Sequence, residues 1–350
     1  MVQKITIYEI AKAANVSIAT ISRAINPETR RKVSKETLKV IDEIIRQRGY
    51  TPNLAAKHLV KASYKTVGVI LPHHQGIFSE DYYSQTLCGI SDALLDSDYS
   101  FKLLMLKAGD KKWDQYNFKS AEGVDGLIVT HWHSYFSSAS VFEALNIPCV
   151  IINDPEDNVK GFMISGNHFD GGRLAAEYLY NSGHRSLVVM TGSPDSTDSK
   201  LRLQGFESFL AEKGIKLPED HMLCGHFQED LAGKMIEEFF KKFSPSEITA
   251  IFCLNDNMAF GVIKKLRELG IACPAQVSVL GYDDGKRAVA FDPPLTTIQV
   301  PLYDLARLAV QNLMHYLKFK SAASFYYQKH LLPVSLVERN TVLKTKNLFS

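Results

Sequence analysis

Apolar positions in the first fifty residues recur at helical spacing. Ile7, Ile10 and Ala14 form one stripe, and Val16, Ile21, Ala24 and Ile25 form a second. Asn15 separates them, a residue that tolerates the left-handed backbone of a tight turn. Ser17 suits the N-cap of the second helix. A third stripe, Leu38, Ile41 and Ile45, follows a cap at Ser34 and ends before Gly49 and Pro52. Two short helices joined by a tight turn, with a third behind them, make the pattern of a helix-turn-helix.

Beyond a linker, Lys61–Lys65, the period changes. Thr66–Leu71, Lys102–Leu106, Gly126–Val129 and Cys149–Ile152 read as buried strands, with a helix near Tyr82–Leu95. A second series begins with a helix near Asp170–Asn181 and has strands at Leu187–Met190, Ala250–Cys253 and Val277–Leu280. Alternating strands and helices imply parallel sheets covered on both faces, and two series imply two similar lobes. The expected fold is therefore α/β: a small all-helical head, then a two-lobed body with two parallel sheets.

Turning Ile21 and Ile25 inward points Ile18, Ala19, Ser22 and Arg23 outward. Arg23 is placed to chelate both acceptors of a guanine, and Ile18 or Ala19 to touch a thymine methyl. A surface helical hairpin with a solvated Arg would share this pattern. Charge favours the DNA reading. Residues 1–62 carry 12 Lys/Arg against 5 Asp/Glu, a formal +7, while the remainder carries 28 against 33, a formal −5. A basic head on an acidic body suits a polyanionic partner. Lys4, Arg30, Arg31 and Lys32 are placed to neutralise phosphates. Asn53–Val60 is apolar and basic but too short to hold a helix alone in water.

The 350 residues and 45% hydrophobic content suit two or three globular units. No run is long enough to span a membrane, and the N-terminus has no signal-peptide pattern, so a cytoplasmic protein is expected. The five cysteines are scattered, never C-x-x-C, and read as reduced thiols. Common nucleotide-binding, hydrolase and zinc-protease motifs are absent, so no catalytic residue and no cofactor are expected. Asp283 and Asp284 are adjacent carboxylates that project differently, with no partner base indicated. His73, His74, His131 and His133 fall on loops of one lobe, but their spacing matches no zinc signature, and no metal is expected.

Ligands of open parallel sheets bind beyond the carboxyl ends of the strands. That rule selects Pro72, His73, His74 and Phe78, then His131, Trp132 and His133, then Asn153 and Asp154. In the second lobe it selects Thr191–Ser193, Asn255, Asp256, Tyr282 and Asp283. Asn, Asp, Arg and aromatic side chains suit a neutral polyhydroxylated ligand.

The chain resembles the lactose/galactose repressor family of bacterial transcription regulators. The matching residues are Ile7–Ala11, Val16-Ser17-x-Ala19-Thr20-Ile21-Ser22-Arg23, Gly49-Tyr50-x-Pro52-Asn53, Ala56 and Leu59. Further matches include Val67-Gly68-Val69-Ile70, Val124-Asp125-Gly126-Leu127-Ile128, Gly183-His184, Arg202-x-x-Gly205-Phe206, Asn255-Asp256-x-Met258-Ala259-x-Gly261, Gly281-Tyr282-Asp283-Asp284 and Pro293–Ile298. The resemblance runs from about Ile5 to Thr341.

It implies a DNA-binding head (1–52), a hinge helix and linker (53–65) and a periplasmic-binding-protein-like body (66–345). Lobe 1 would hold about 66–161 and 291–321, and lobe 2 about 162–290 and 322–345. The crossings between lobes are expected near Phe162, Phe291 and Ser321. The implied partners are a pseudo-palindromic double-stranded operator, a small-molecule effector and a second copy of the chain, with no membrane. The implied DNA-contacting set is Ser17, Ile18, Ala19, Thr20, Ser22, Arg23, Asn26, Asn53, Ala56, Lys57 and Leu59, with Leu59 the minor-groove wedge. Lys57 stands where an Arg is common. The effector set is His73, Phe78, Asn153, Arg202, Phe227, Asn255 and Asp283. Asn153 departs from the Asp of many sugar-responsive members. Sugar or sugar phosphate is the expected effector class, with purine or nucleoside second.

Overall fold

The computed structural model describes residues 5–25, 29–48, 63–73, 76–107, 123–130, 147–153, 162–319 and 328–345. The chain divides into two compact units, Met1–Tyr64 and Lys65–Ser350.

The first unit contains helices α1 (Ile7–Ala13), α2 (Ile18–Ile25) and α3 (Lys35–Arg48). Thr6 and Glu9 form a reciprocal capping box at the start of α1. Asn15 takes a left-handed φ of 51° at the turn, as its residue type predicts. Ser17 Oγ accepts the Thr20 amide at 3.1 Å, and Ser34 Oγ accepts that of Thr37 at 3.2 Å, so both expected caps form. Ile10, Ala11, Ile21, Ala24 and Ile41 are buried where the three helices meet. The expected hinge, Asn53–Val60, lies outside the described residues.

The second unit has two sheets of six strands. The first contains β1 (Thr66–His73), β2 (Ser100–Lys107), β3 (Gly126–Val129), β4 (Cys149–Ile152), β5 (Phe162–Gly166) and β11 (Gln328–Leu332). Their spatial order is β11-β5-β4-β3-β1-β2, parallel throughout. The second contains β6 (Leu187–Thr191), β7 (Met222–Cys224), β8 (Ala250–Cys253), β9 (Ser278–Asp283), β10 (Thr297–Gln299) and β12 (Ser335–Val337). Its order is β12-β10-β9-β8-β6-β7, and only the edge strand β12 runs antiparallel to its neighbour. Central strands β3, β4 and β8 are buried along their whole length, as sheets covered on both faces require.

Helices α4 (Asp81–Leu94) and α10 (Leu302–Phe319) pack together on the first lobe. They approach closely at Gly89, where a Cβ would stand 2.4 Å from the Tyr303 carbonyl oxygen. On the second lobe, α5 (His168–Asn181) crosses α6 (Thr197–Glu212). Helices α7 (Glu229–Phe240), α8 (Asp256–Glu268) and the short α9 (Lys286–Ala290) complete the second lobe.

The first crossing falls within a few residues of its expected place, and the second and third come later. Phe162 opens β5 and is still in lobe 1. Phe291 packs against Phe260 of lobe 2, with β10 still to come in that lobe's sheet. Ser321 lies outside the described residues, but the chain remains in lobe 1 through Leu332. The crossings therefore follow Gly166, Gln299 and Leu332. They meet at Gly166, where an added Cβ would touch Val300 at 3.2 Å and Val334 at 3.3 Å. The missed sixth strand of lobe 1, Gln-Lys-His-Leu-Leu, is an edge strand with no continuous apolar signal. Among the described residues, no helix is long and apolar enough to cross a membrane.

Candidate DNA-reading and effector sites

The head presents the surface that the apolar stripe demands. With Ile21 and Ala24 buried, Ile18, Ala19, Ser22 and Arg23 are exposed together on α2. Ser17 and Thr20 join hydroxyls at 2.9 Å while capping α2, which leaves the outer face to the other four. Arg31 and Lys32 are exposed. Arg30 is engaged internally instead. It donates to the Ala24 carbonyl at 2.8 Å and pairs with Asp42 at 2.5 Å. A cation satisfying the open carbonyls of a helix end ties α2 to α3. Lys4, Asn26, Asn53, Ala56, Lys57 and Leu59 lie outside the described residues.

In lobe 2 a buried polar network stands at the strand ends. Arg202, projecting from α6, is 4% exposed. Its Nη1 donates to the Leu254 carbonyl at 2.5 Å, and Nη2 lies 3.4 Å from Asp283 Oδ1. Its guanidinium stacks on Tyr282 at 3.9 Å from the ring centroid. Nε donates to His168 Nδ1 at 3.4 Å, and the Tyr282 hydroxyl lies 3.1 Å from the same nitrogen. An Nδ1 that accepts leaves the ring proton on Nε2, which stands 3.5 Å from Asp198 Oδ2. Arg202 thus both faces Asp283 and braces the fold through Leu254.

Asp283 ends β9 with φ 114°, a strained position for a residue with a Cβ. Burial pushes its carboxyl up to about 7; Arg202 opposes this, while Asp198 and Glu80 add to it. Asp256 is held well above the usual carboxylate range, mainly by burial, despite bonds from Thr297 at 2.6 Å and the Gly285 amide at 3.0 Å.

Asn255 is occupied twice. Its Oδ1 caps α8 through the Met258 amide at 2.9 Å, and Nδ2 donates to the Phe227 carbonyl at 3.3 Å. His226 and Phe227 are both left-handed, with φ 50° and 62°. The Phe227 ring lies over Gly192, where a Cβ would come within 2.0 Å of it. A side chain at 192 would have to displace that ring.

On lobe 1, Asn153 follows β4 with φ 83° and is 2% exposed. Its Nδ2 donates to the Tyr82 hydroxyl, which donates to the Thr130 carbonyl at 3.0 Å. The Thr130 hydroxyl donates in turn to the Ile70 carbonyl at 2.9 Å. A buried relay thus joins the ends of β4, β3 and β1. His73 and Phe78 are exposed on the same lobe. His74, His131 and His133 lie outside the described residues, and no metal-holding cluster of His, Cys, Asp or Glu occurs among the described ones.

The structure therefore joins Arg202 with Asp283, and Asn255 with Phe227, through the Leu254–Asn255 strand end. Tyr82 and His168 were missed in the sequence. Each stands at a helix start beyond a strand end, which was the available signal.

A helix-turn-helix unit ahead of two parallel-sheet lobes with polar strand ends defines a DNA-binding regulator with a ligand-responsive body. Residues 6–53 match the model of bacterial regulatory proteins, lacI family, and residues 176–342 match that of a periplasmic binding protein-like domain. The HTH-type transcriptional repressor PurR of Vibrio cholerae is 28% identical over 341 residues, 96% of this chain and 98% of that protein. The ribose operon repressor of Haemophilus influenzae is 29% identical, covering 89% of this chain and 92% of its own. The lac repressor dimer, solved bound to operator and the anti-inducer ONPF, superposes with a TM-score of 0.81 at 25% identity. That match covers 97% of this chain and 100% of its own. Head and body together match a lacI-family transcriptional regulator, a DNA-binding repressor with an effector domain, and its homologues are repressors rather than enzymes.

Proposed function

We propose that this repressor binds a pseudo-palindromic operator as a homodimer and that a neutral, polyhydroxylated small molecule sets its operator affinity from the interlobe crevice. The observation that carries the choice of ligand is the charge around Arg202. Its guanidinium is already faced by Asp283, and Asp198 stands beside it through His168. Carboxyl groups outnumber the cation there and already engage it, which disfavours phosphorylated ligands and suits hydroxyl groups. Arg202, Asp283 and Asn255 would hold hydroxyls, Phe227 would cover an apolar ring face, and His73, Phe78 and Asn153 would approach from lobe 1.

Ile18, Ala19, Ser22 and Arg23 would read the major groove, supported by Ser17, Thr20 and Asn26, with the two recognition helices about one helical turn apart, ~34 Å. Asn53, Ala56 and Lys57 would lie along the hinge, and Leu59 would wedge into the minor groove. The PurR repressor and the ribose operon repressor are almost equally similar to this chain, so likeness alone does not choose the effector class. A purine or nucleoside effector is the second reading.

Melting the full chain with neutral sugars, sugar phosphates and purine bases tests the choice. A neutral sugar should raise the melting temperature, and Arg202→Ala should abolish that rise. Stabilisation by phosphates or purines alone would overturn the neutral-sugar reading. Leu59→Ala should weaken operator binding while leaving effector affinity intact; equal loss of both would remove its wedge role.

A further inference from the structure

We infer that the first turn of α4 is a coupling element that locks the two lobes together and ties that lock to the crevice. Asp81, the first residue of α4, belongs to lobe 1. Its Oδ2 accepts the backbone N–H of Arg287, in α9 of lobe 2, at 3.0 Å. The carboxylate lies directly on Gly285, where a Cβ would stand 2.5 Å from Oδ2 and 2.8 Å from the Asp81 Cβ. Gly285 has an ordinary φ of −65°, so backbone conformation does not require glycine there. The close approach of Asp81 does.

Lobe 2 holds its side of this contact rigidly. The Gly285 amide donates to buried Asp256, and the Arg287 guanidinium is taken up by Glu229 through bonds of 2.5 and 3.0 Å. That guanidinium also lies 4.2 Å from the Phe260 ring centroid. Arg287 therefore reaches Asp81 through its main chain, and the contact depends on where the whole α9 segment lies. Any rotation of one lobe against the other must open or close it.

The next residue faces the other way. Tyr82 receives Asn153 and donates to Thr130, at the ends of β4 and β3. Its phenol is held far above its ordinary range, by burial first and then by the charges of Asp198 and Asp283 across the crevice. Glu80, the residue before Asp81, acts on Asp283 in the same way. Two consecutive residues thus meet the lobe 2 backbone and the lobe 1 strand ends, with Glu80 and Tyr82 in electrostatic reach of the crevice carboxylates. A helix turn is stiff, so displacement at Tyr82 is transmitted to Asp81. These interlobe contacts carry the coupling whichever effector binds.

Hydrogen exchange on the full chain, with no ligand added, tests it. Asp81→Ala should speed exchange about tenfold or more at the amides of 285–291 and also at Ile152–Asn153. Asp81→Asn keeps an accepting oxygen and should restore protection at both. Gly285→Ala, which wedges the contact from the other lobe, should reproduce the Asp81→Ala pattern, and the double variant should add little. Tyr82→Phe should loosen both segments from the other end. Loosening confined to 285–291 would reduce the contact to a local one and overturn the coupling. Unchanged exchange in Asp81→Ala would overturn the lock itself. Far-UV circular dichroism identifies any variant that fails to fold, and the Asp81→Asn comparison then decides.

Discussion

The head and the body solve the same problem at opposite scales. Five buried residues on three helices centre the head, and their partners lie within a few turns of the chain. The body's core runs through both sheets, and its first sheet pairs Phe162 with Gln328. A domain as small as the head buries little surface and is marginally stable, whereas the body has ample core. The difference suits a regulator: a soft reader can be set by a stiff receiver.

The largest effect that would separate the two units is expected at the α5–α6 crossing. A Cβ at Gly205 would stand 1.9 Å from the Phe169 carbonyl oxygen, backbone against backbone. Gly205→Val should cost about 3 kcal/mol or more and remove the body's main calorimetric transition while the head still melts separately. Ile21→Ala should do the reverse. Loss of a fully buried side chain costs about 2–4 kcal/mol, enough to unfold the head and abolish operator binding while the body's transition stays put. A single shifted transition in either variant would show that the two units melt together.

Asp283 adds a pH dependence to the body alone. Burial pushes its folded-state carboxyl up to about 7, against an ordinary value of 3.8. Below the reference value both states are protonated and no penalty exists. As pH rises towards 7 the unfolded chain ionises first, so the folded body loses stability, with the full penalty above 7. Asp283→Asn should flatten that part of the melting profile, by several degrees at pH 8 relative to pH 4. An identical pH profile in the variant would show that the carboxyl ionises freely in the fold.

Smaller effects should stay in the head. Thr6→Ala removes the capping box and should cost about 1 kcal/mol, read as a lower head transition with the body unchanged. Arg23→Ala should alter stability by less than about 0.5 kcal/mol, since its side chain is exposed, yet weaken operator binding about tenfold or more. Wild-type operator affinity in that variant would remove Arg23 from base reading.

Legibility followed the same division. Asn15, Ser17 and Ser34 announced the turn and caps of the head through local chemistry, and each took that place. The Thr6–Glu9 box carried an equally local signal, S/T-x-x-E, that went unread. Arg30 shows the limit: its charge is legible locally, but its partner Asp42 lies twelve residues away on another helix. In the body, runs such as Cys149–Ile152 and Ala250–Cys253 marked strands to the residue. The last crossing lies beyond Ser321 because β11, an edge strand without a continuous apolar run, is recognisable only by its partner β5.

Arg202 and Asp283 could be chosen from strand ends and motif. That Arg202 also braces Leu254, and that Tyr82 receives Asn153, depended on residues far apart in the chain.

By itself the sequence determined the reader's outward face, the strand-and-helix alternation and the polar strand ends. Each is set by periodicity and residue type within a few turns of chain. Only the tertiary structure decided where the lobes exchange chain, which carboxylate faces Arg202, and that Asp81 rests on Gly285. Those depend on distances between segments far apart in the chain, more than 200 residues for Asp81 and Arg287, which no local pattern encodes.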